Sequence, residues 1–475
     1  MPLVKTWQLI AGSAVAGLAL SAAAVAAAGP WDSGQRKAER DKAASWGRPG
    51  GGDHAAGGLP QAAPSAPGVL AALAPRSAQG QKPPAAGPGL AGVLGPLLAD
   101  PALGAVRSAS VVDTATGQVL YESGPGEAMT PASTVKIATA AAALAALGPE
   151  HRIRTTVAPG AGPGEIVLVG GGDPSLTAKK KSPAGSGGSL VALAADTAQA
   201  LKGAGTDTVT LAYDDSLYTG AVRHPIGRND NIAPVTALTA DEGRPDDSVS
   251  GPVQRTDDPS KDTARAFAGL LRDRGIKVTG EPARGKAPAG AQPLATTLST
   301  PLAGLVERML TNSDNDIAEA LARQTALAAG QPAGFEGAEK AVSEKLASLG
   351  VDVTGSRFAD GSGLNRADKV STRLLTGLLT KAADPARPEL RPVLTGLPVA
   401  GFTGTLRARN AGTSPAAGLL RAKTGTLSGV NSLSGTVVDP AGRLLAFAFL
   451  TAGAPDGPAA EKGLDKLAAA VATTS

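Results

Sequence analysis

Ser133-Thr134-Val135-Lys136, Ser313-Asp314-Asn315 and Lys423-Thr424-Gly425 are the stretches that decide how this 475-residue chain folds. In chain order they read SxxK, SxN and KTG. After the first, residues 134–147 are Ala-rich and apolar and stop at Gly148-Pro149, the pattern of a buried helix with a marked end. Ser133 therefore falls where a strand region passes into a helix. The second stretch lies between helical patterns over 302–310 and 316–329, as a loop motif should. The third closes a strand over 419–423. Strands over 432–438 and 443–450 follow, joined by the turn Asp439-Pro440-Ala441-Gly442, and then a helix over 459–472. Upstream, residues 108–113 and 118–123 read as two strands with a turn at 114–117. Two early strands, three late strands and the closing helix predict an α/β (α+β) fold, an antiparallel sheet covered by helices.

A serine hydroxyl is inert at neutral pH until a base takes its proton. Lys136 lies three positions beyond Ser133, so on a helix the two side chains share a face. Ser133 is the candidate nucleophile and Lys136 the candidate base. A lysine accepts a proton only when neutral, a state favoured by burial and by neighbouring cations, and Lys423 is the candidate cation. Ser313 can relay a proton to a leaving amine, and Asn315 can bind a substrate backbone amide. Asp314 is expected to point away and support the loop. On an edge strand, Thr424 and Thr426 can hydrogen-bond a carboxylate, and Gly425 leaves space for a substrate lying alongside. The backbone N–H groups of Ser133 and Thr426 form a candidate oxyanion hole. Taken singly, each motif is also an ordinary pattern: a capping serine with a surface lysine, a helix cap, an exposed basic strand. The ordered set of three points to covalent serine catalysis.

Lys5 precedes an uncharged apolar run over residues 7–28, long enough to span a bilayer. It ends in Ala26-Ala27-Ala28, which resembles a signal-peptidase site. Residues 1–29 are expected to be a signal peptide or membrane anchor, and either sends the rest of the chain out of the cytoplasm. Residues 30–93 are Gly/Ala/Pro-rich and read as a flexible linker. Residues 153–287 read as β-rich and irregular, with strands over 166–169 and 208–213 and a helix over 264–274. The predicted catalytic domain is discontinuous, 94–152 with 288–475, and 153–287 are inserted accessory domains. All three motifs lie outside the insert, which is therefore expected to govern access, position or substrate choice and not to build the reactive site.

Charge is nearly balanced, with 45 Lys and Arg against 41 Asp and Glu, and aromatics are 3% of residues. Neither the basic footprint nor the stacking platforms of a nucleic-acid binder are present. The absence of cysteine excludes disulfides, a thiol nucleophile and thiolate metal sites. His54, His151 and His224 are scattered, without an HExxH pattern. No metal and no cofactor are expected, and a Ser-His-Asp triad has few candidates for its base.

The chain resembles the low-molecular-mass penicillin-binding proteins of the D-Ala-D-Ala carboxypeptidase/endopeptidase type, peptidase family S13, over about residues 94–455. Gly171-Gly172-Asp173-Pro174-Ser175-Leu176, Asp360-Gly361-Ser362-Gly363-Leu364-Asn365-Arg366 and Gly404-Thr405-Leu406-Arg407 also resemble family segments. So does the long interval from Lys136 to Ser313, which in this family holds inserted domains. The resemblance implies that Ser133 is acylated at the penultimate D-Ala carbonyl of a peptidoglycan stem peptide, that the terminal D-Ala leaves, and that water hydrolyses the acyl-enzyme. It implies that β-lactam antibiotics inhibit by acylating the same serine, and that the protein works at the cell membrane or in the cell wall of a bacterium. The membrane is a partner if the N-terminal segment stays uncleaved. The resemblance further implies a pocket for the free end of the stem-peptide side chain, with Arg366 and Asp230 as candidates. The aromatic residues expected near 227–232 are absent. Two rival readings are a β-lactamase-like hydrolase and a non-catalytic wall-binding scaffold. No Glu-x-x-x-Asn follows the SDN motif to support the first, and the intact catalytic set argues against the second.

Overall fold

The structure, a computed structural model, describes residues 88–181 and 187–474. The expected signal or anchor segment and the linker up to residue 87 lie outside them. In chain order the elements are α1 (Pro88–Leu98), β1 (Val106–Asp113), β2 (Val119–Ser123), α2 (Lys136–Leu147), β3 (Arg154–Pro159), β4 (Glu165–Val169) and α3 (Leu190–Gly203). There follow β5 (Thr208–Asp214), α4 (Pro259–Arg272), β6 (Lys277–Arg284), β7 (Ala295–Leu298), α5 (Leu302–Asn312), α6 (Asn315–Ala328), α7 (Phe335–Ser348) and α8 (Thr372–Ala383). The last four are β8 (Leu420–Leu427), β9 (Val430–Val438), β10 (Leu444–Ala452) and α9 (Gly457–Thr473).

The first sheet has the order β2-β1-β10-β9-β8, antiparallel throughout. Early and late parts of the chain meet in it, with Val106 opposite Ala452. β10 is apolar along its length because both of its faces are covered. Leu445, Phe447 and Phe449 share a core with α1 and α9, while Ala446, Ala448 and Leu450 share one with α2, α5 and α8. β8, which carries the KTG stretch, is one of the two edge strands.

The second sheet, β6-β5-β4-β3-β7, is mixed: β4–β5 and β5–β6 are parallel, and β3 pairs antiparallel with β4 and β7. Parallel neighbours need a crossover, and α3 and α4 supply it, packing through Leu190, Leu193, Phe267 and Leu271. The region read as β-rich and irregular thus contains a mixed layer of strands and helices, while residues 215–258 within it are irregular apart from one short 3-10 turn. Its edge strand β7 lies beyond residue 287, and α1 begins within the stretch read as linker. Among the described residues, no helix is long and apolar enough to cross a membrane.

Candidate active site

A 3-10 turn over Ala132–Val135 carries Ser133, and α2 begins directly after it. Small alanines let α2 sit in the core, buried from Lys136 to Leu144. The spacing puts Lys136 Nζ 3.0 Å from Ser133 Oγ. Lys136 Nζ also donates to Asn315 Oδ1 at 2.7 Å and to the Ser362 carbonyl at 2.5 Å. These three acceptors match the three protons of an ammonium; a neutral amine would keep two and accept the third bond from the serine hydroxyl. Burial pulls the Lys136 pKa down to about 8, against the opposing pull of Asp360, Asp314, Glu319 and Asp368.

Two glycines press on the Ser133 turn. A Cβ at Gly363 would stand 2.1 Å from the Ala132 carbonyl oxygen, and Gly363 itself has φ +85°. A Cβ at Gly425 would stand 2.7 Å from the Pro131 carbonyl oxygen and 3.0 Å from Ser133 N. Gly425 therefore lets β8 pack against the nucleophile turn, a tighter requirement than the space for substrate expected of it. Ser432 Oγ fastens the same turn by donating to the Pro131 carbonyl at 2.6 Å.

The SDN stretch is a junction between helices. Ser313 ends α5 in the left-handed conformation, φ +59°, and Asp314 caps α6 by accepting the Ile317 N–H at 3.0 Å. Asn315 then bridges inward: Oδ1 accepts from Lys136, and Nδ2 donates to the Asn231 carbonyl at 2.9 Å. Behind it, Asp316 accepts the Ala233 N–H at 2.9 Å and pairs with Arg255 at 3.2 Å. Burial pushes Asp316 up to about 7 despite Arg255.

On β8, Lys423 is buried and donates to the Thr424 carbonyl at 2.8 Å. Burial first, then the charges of Lys136 and Arg409, hold it well below the usual lysine range. Burial is the leading cause on both amines, and Lys423, the candidate cation, is itself drawn down by it. Thr424 Oγ1 donates to Thr405 Oγ1 at 2.9 Å, and Thr426 Oγ1 donates to Glu461 Oε1 at 2.9 Å.

Ser133, Ser313, Asn315, Thr424 and Thr426 open into one cleft of about 370 Å³, with Thr405, Arg244 and Arg255 also in its wall. Lys136, Lys423 and Gly425 lie buried outside its lining. The structure does not bring Arg366 or Asp230 to this cleft. Arg366 donates to the Ser428 carbonyl at 2.8 Å, at the β8–β9 turn. Asp230 is exposed on a separate, shallow pocket of the insert.

A family profile described as the D-Ala-D-Ala carboxypeptidase 3 (S13) family matches residues 90–251 and 245–471. The chain belongs to that family. It is a peptidase, as the sequence motifs led one to expect. A carboxypeptidase of Mycobacterium tuberculosis is 36% identical over 430 residues, 88% of this chain and 90% of the relative. Carboxypeptidase DacB of Mycolicibacterium smegmatis is 37% identical over 391 residues, 80% of this chain and 83% of the relative. Penicillin-binding protein 4 (dacB) from Haemophilus influenzae shares the fold, with a TM-score of 0.65 at 24% identity, covering 79% of this chain and 97% of that one. The same Haemophilus protein is also known in complex with a β-lactam.

Several groups of the candidate site carried no signal in the sequence. The Ser362 carbonyl, which accepts from Lys136 and from Ser133 Oγ at 3.4 Å, is a backbone atom and carries no side-chain signal. Its loop, in the quoted Asp360-to-Arg366 segment, is held by buried carboxylates. Glu319 Oε1 accepts the N–H groups of Gly361 and Ser362, each at 3.0 Å, and its Oε2 accepts from Arg323 at 2.9 Å. Asp360 and Asp368 divide one charge, since two buried carboxyls in contact do not both ionise. Burial and Asp360 push Asp368 up to about 10. Asp360, against the upward pull of burial, is held at about 2 by hydrogen bonds from His224, Asp368 and Gly363 N–H.

The insert is also more closely involved than expected. Asn231 and Ala233 bond Asn315 and Asp316, Arg255 pairs with Asp316, and His224 bonds Asp360 at 2.8 Å. Residues 153–287 thus help to shape the reactive centre, although no motif lies in them.

Proposed function

We propose that the protein is a serine-type D-Ala-D-Ala carboxypeptidase that cuts peptidoglycan stem peptides through an acyl-enzyme on Ser133. The observation that carries this reading is the buried Lys136 amine, 3.0 Å from Ser133 Oγ and steered there by Asn315 and the Ser362 carbonyl. Neutral Lys136 takes the hydroxyl proton as Ser133 Oγ attacks the penultimate D-Ala carbonyl carbon. The N–H groups of Ser133 and Thr426 hold the resulting oxyanion. Ser313 passes a proton to the departing D-Ala amine, and Asn315 binds the peptide amide. Water, activated by the same lysine, then releases the shortened peptide. A β-lactam enters the same path and stays as an adduct.

A share of endopeptidase action is the second reading, and Glu461 favours it. The Thr426 hydroxyl, suited to a terminal carboxylate, already donates to Glu461 Oε1. A second carboxylate there disfavours a free C-terminus and leaves an internal peptide bond unaffected. For location, we propose export, through a segment over residues 7–28 that is either cleaved near Ala28 or kept as an anchor. Intact-protein mass spectrometry after exposure to penicillin tests the reading. One adduct is expected on the wild type and none on Ser133→Ala; an adduct that survives the substitution would sink the assignment.

A further inference from the structure

We infer that His224, supplied by the insert, is a positioning residue for acylation: it locks the Asp360 carboxylate that holds the Ser362 carbonyl against Lys136 and Ser133. The inference rests on the acyl-enzyme reading above and extends it to a residue outside all three motifs.

His224 is buried, and so is its partner. His224 Nδ1 accepts the Ile226 N–H at 3.1 Å, so the ring proton sits on Nε2. Nε2 therefore donates to Asp360 Oδ2 at 2.8 Å. The ring plane is set by an edge-on contact with Phe335, centroids 5.5 Å apart. Asp360 Oδ2 also accepts the Asn365 N–H at 2.7 Å, while Oδ1 accepts those of Ser362 at 3.0 Å and Gly363 at 2.5 Å. Three backbone N–H groups of one loop thus converge on a single carboxylate, and His224 supplies a side-chain bond from outside that loop.

That loop reaches the reacting atoms directly. The Ser362 carbonyl accepts from Lys136 Nζ, and Gly363 packs against the Ala132 carbonyl and Ser133 N. A carboxylate that swings loses its grip on the loop, and the lysine loses the acceptor that aims it. Outer hydrogen-bond partners orient the groups that do chemistry in this way, and small misplacements of such groups are costly in rate. His224, Glu319 and Asp360 offer ligand atoms close enough together for a cation. Each carboxylate accepts N–H donors from the loop or from Arg323, the contacts a brace requires.

The test compares His224→Leu and His224→Gln in the full chain, using a fluorescent penicillin as probe. Gln can place its Nε2 amide where the imidazole Nε2 lies; Leu cannot donate. Both variants are checked for folding by circular dichroism and thermal midpoint. His224→Leu is expected to acylate about 10²-fold more slowly at sub-saturating probe, with the loss in the acylation step and not in initial binding. His224→Gln is expected to recover most of that rate. Folded His224→Leu acylating as fast as wild type would overturn the inference while leaving Ser133 as nucleophile. Equal slowing in both variants, in step with equal loss of thermal stability, would also overturn it, because the role would then be packing alone. If wild type itself forms no Ser133 adduct, the functional reading fails, and this inference with it.

Discussion

Raising the pH should speed acylation of Ser133 up to about pH 8 and have little further effect beyond it. The cause is the Lys136 amine, whose pKa burial lowers to about 8 from an ordinary 10.5. With that value, about one molecule in a hundred carries neutral Lys136 at pH 6, about one in ten at pH 7 and about half at pH 8. An unperturbed lysine would be neutral in roughly three molecules in ten thousand at pH 7, so burial enriches the base about 300-fold. The same depression costs stability. The folded value lies below the unfolded one, so between about pH 8 and 10.5 the unfolded chain binds more protons and stability rises with pH. Below about pH 8 the full cost applies, on the order of 3 kcal/mol. The assay is the second-order rate constant for a fluorescent penicillin, from about pH 6 to 10, with folding checked at each point. A gain of about tenfold from pH 6 to 7 and about fivefold from pH 7 to 8, then a plateau, is expected. A flat profile from pH 6 to 8, or a climb that continues past pH 9.5, would refute Lys136 as the base in this environment.

Three further perturbations follow from the geometry. Gly425→Ala puts a methyl 2.7 Å from the Pro131 carbonyl and 3.0 Å from Ser133 N; stopped-flow acylation should slow by about 10²-fold in a folded protein, and an unchanged rate would show that the turn yields freely. Glu319→Ala removes the carboxylate paired with the buried Arg323 guanidinium, frees the Gly361 N–H and leaves the Ser362 N–H with Asp360 alone. Urea unfolding should lose about 3–5 kcal/mol, and a loss under about 1 kcal/mol would contradict that role. Glu461→Gln removes the carboxylate beside Thr426; the ratio of terminal D-Ala release to cross-link cleavage should rise, and a fall would reverse the argument for endopeptidase action.

The parts of the fold that were legible are those where local chemistry and tertiary role coincide. The strands at both ends of the domain and helix α2 announce themselves because their apolar faces are continuous and their ends carry Gly, Pro or Asp. Ser133, Lys136, Ser313 and Asn315 were legible because the spacing within each motif survives folding. Helix α3 was missed, although Leu190, Leu193, Ala194 and Leu201 follow helical spacing and Ser189 caps it. The Gly/Ser-rich stretch just before it reads as loop and masks the helix start. The brace under Lys136 was illegible for a different reason. It is made of a backbone carbonyl, carboxylates from α6 and a loop, and a histidine from the insert, which folding alone brings together. Arg366 and Asp230 were assigned by resemblance; neither is part of the cleft's lining, and Arg366 bonds the Ser428 carbonyl beside it.

The central claim is that Ser133 carries out peptide cleavage at D-Ala-D-Ala. Purified muropeptides with pentapeptide stems, incubated with the full chain and resolved by mass, test it most directly. The account predicts stems shortened by one terminal alanine with wild type, none with Ser133→Ala, and an acyl-enzyme trapped on the tryptic peptide that holds Ser133. Alanine release undiminished in Ser133→Ala, or intact pentapeptides after exposure to folded wild type, would contradict it.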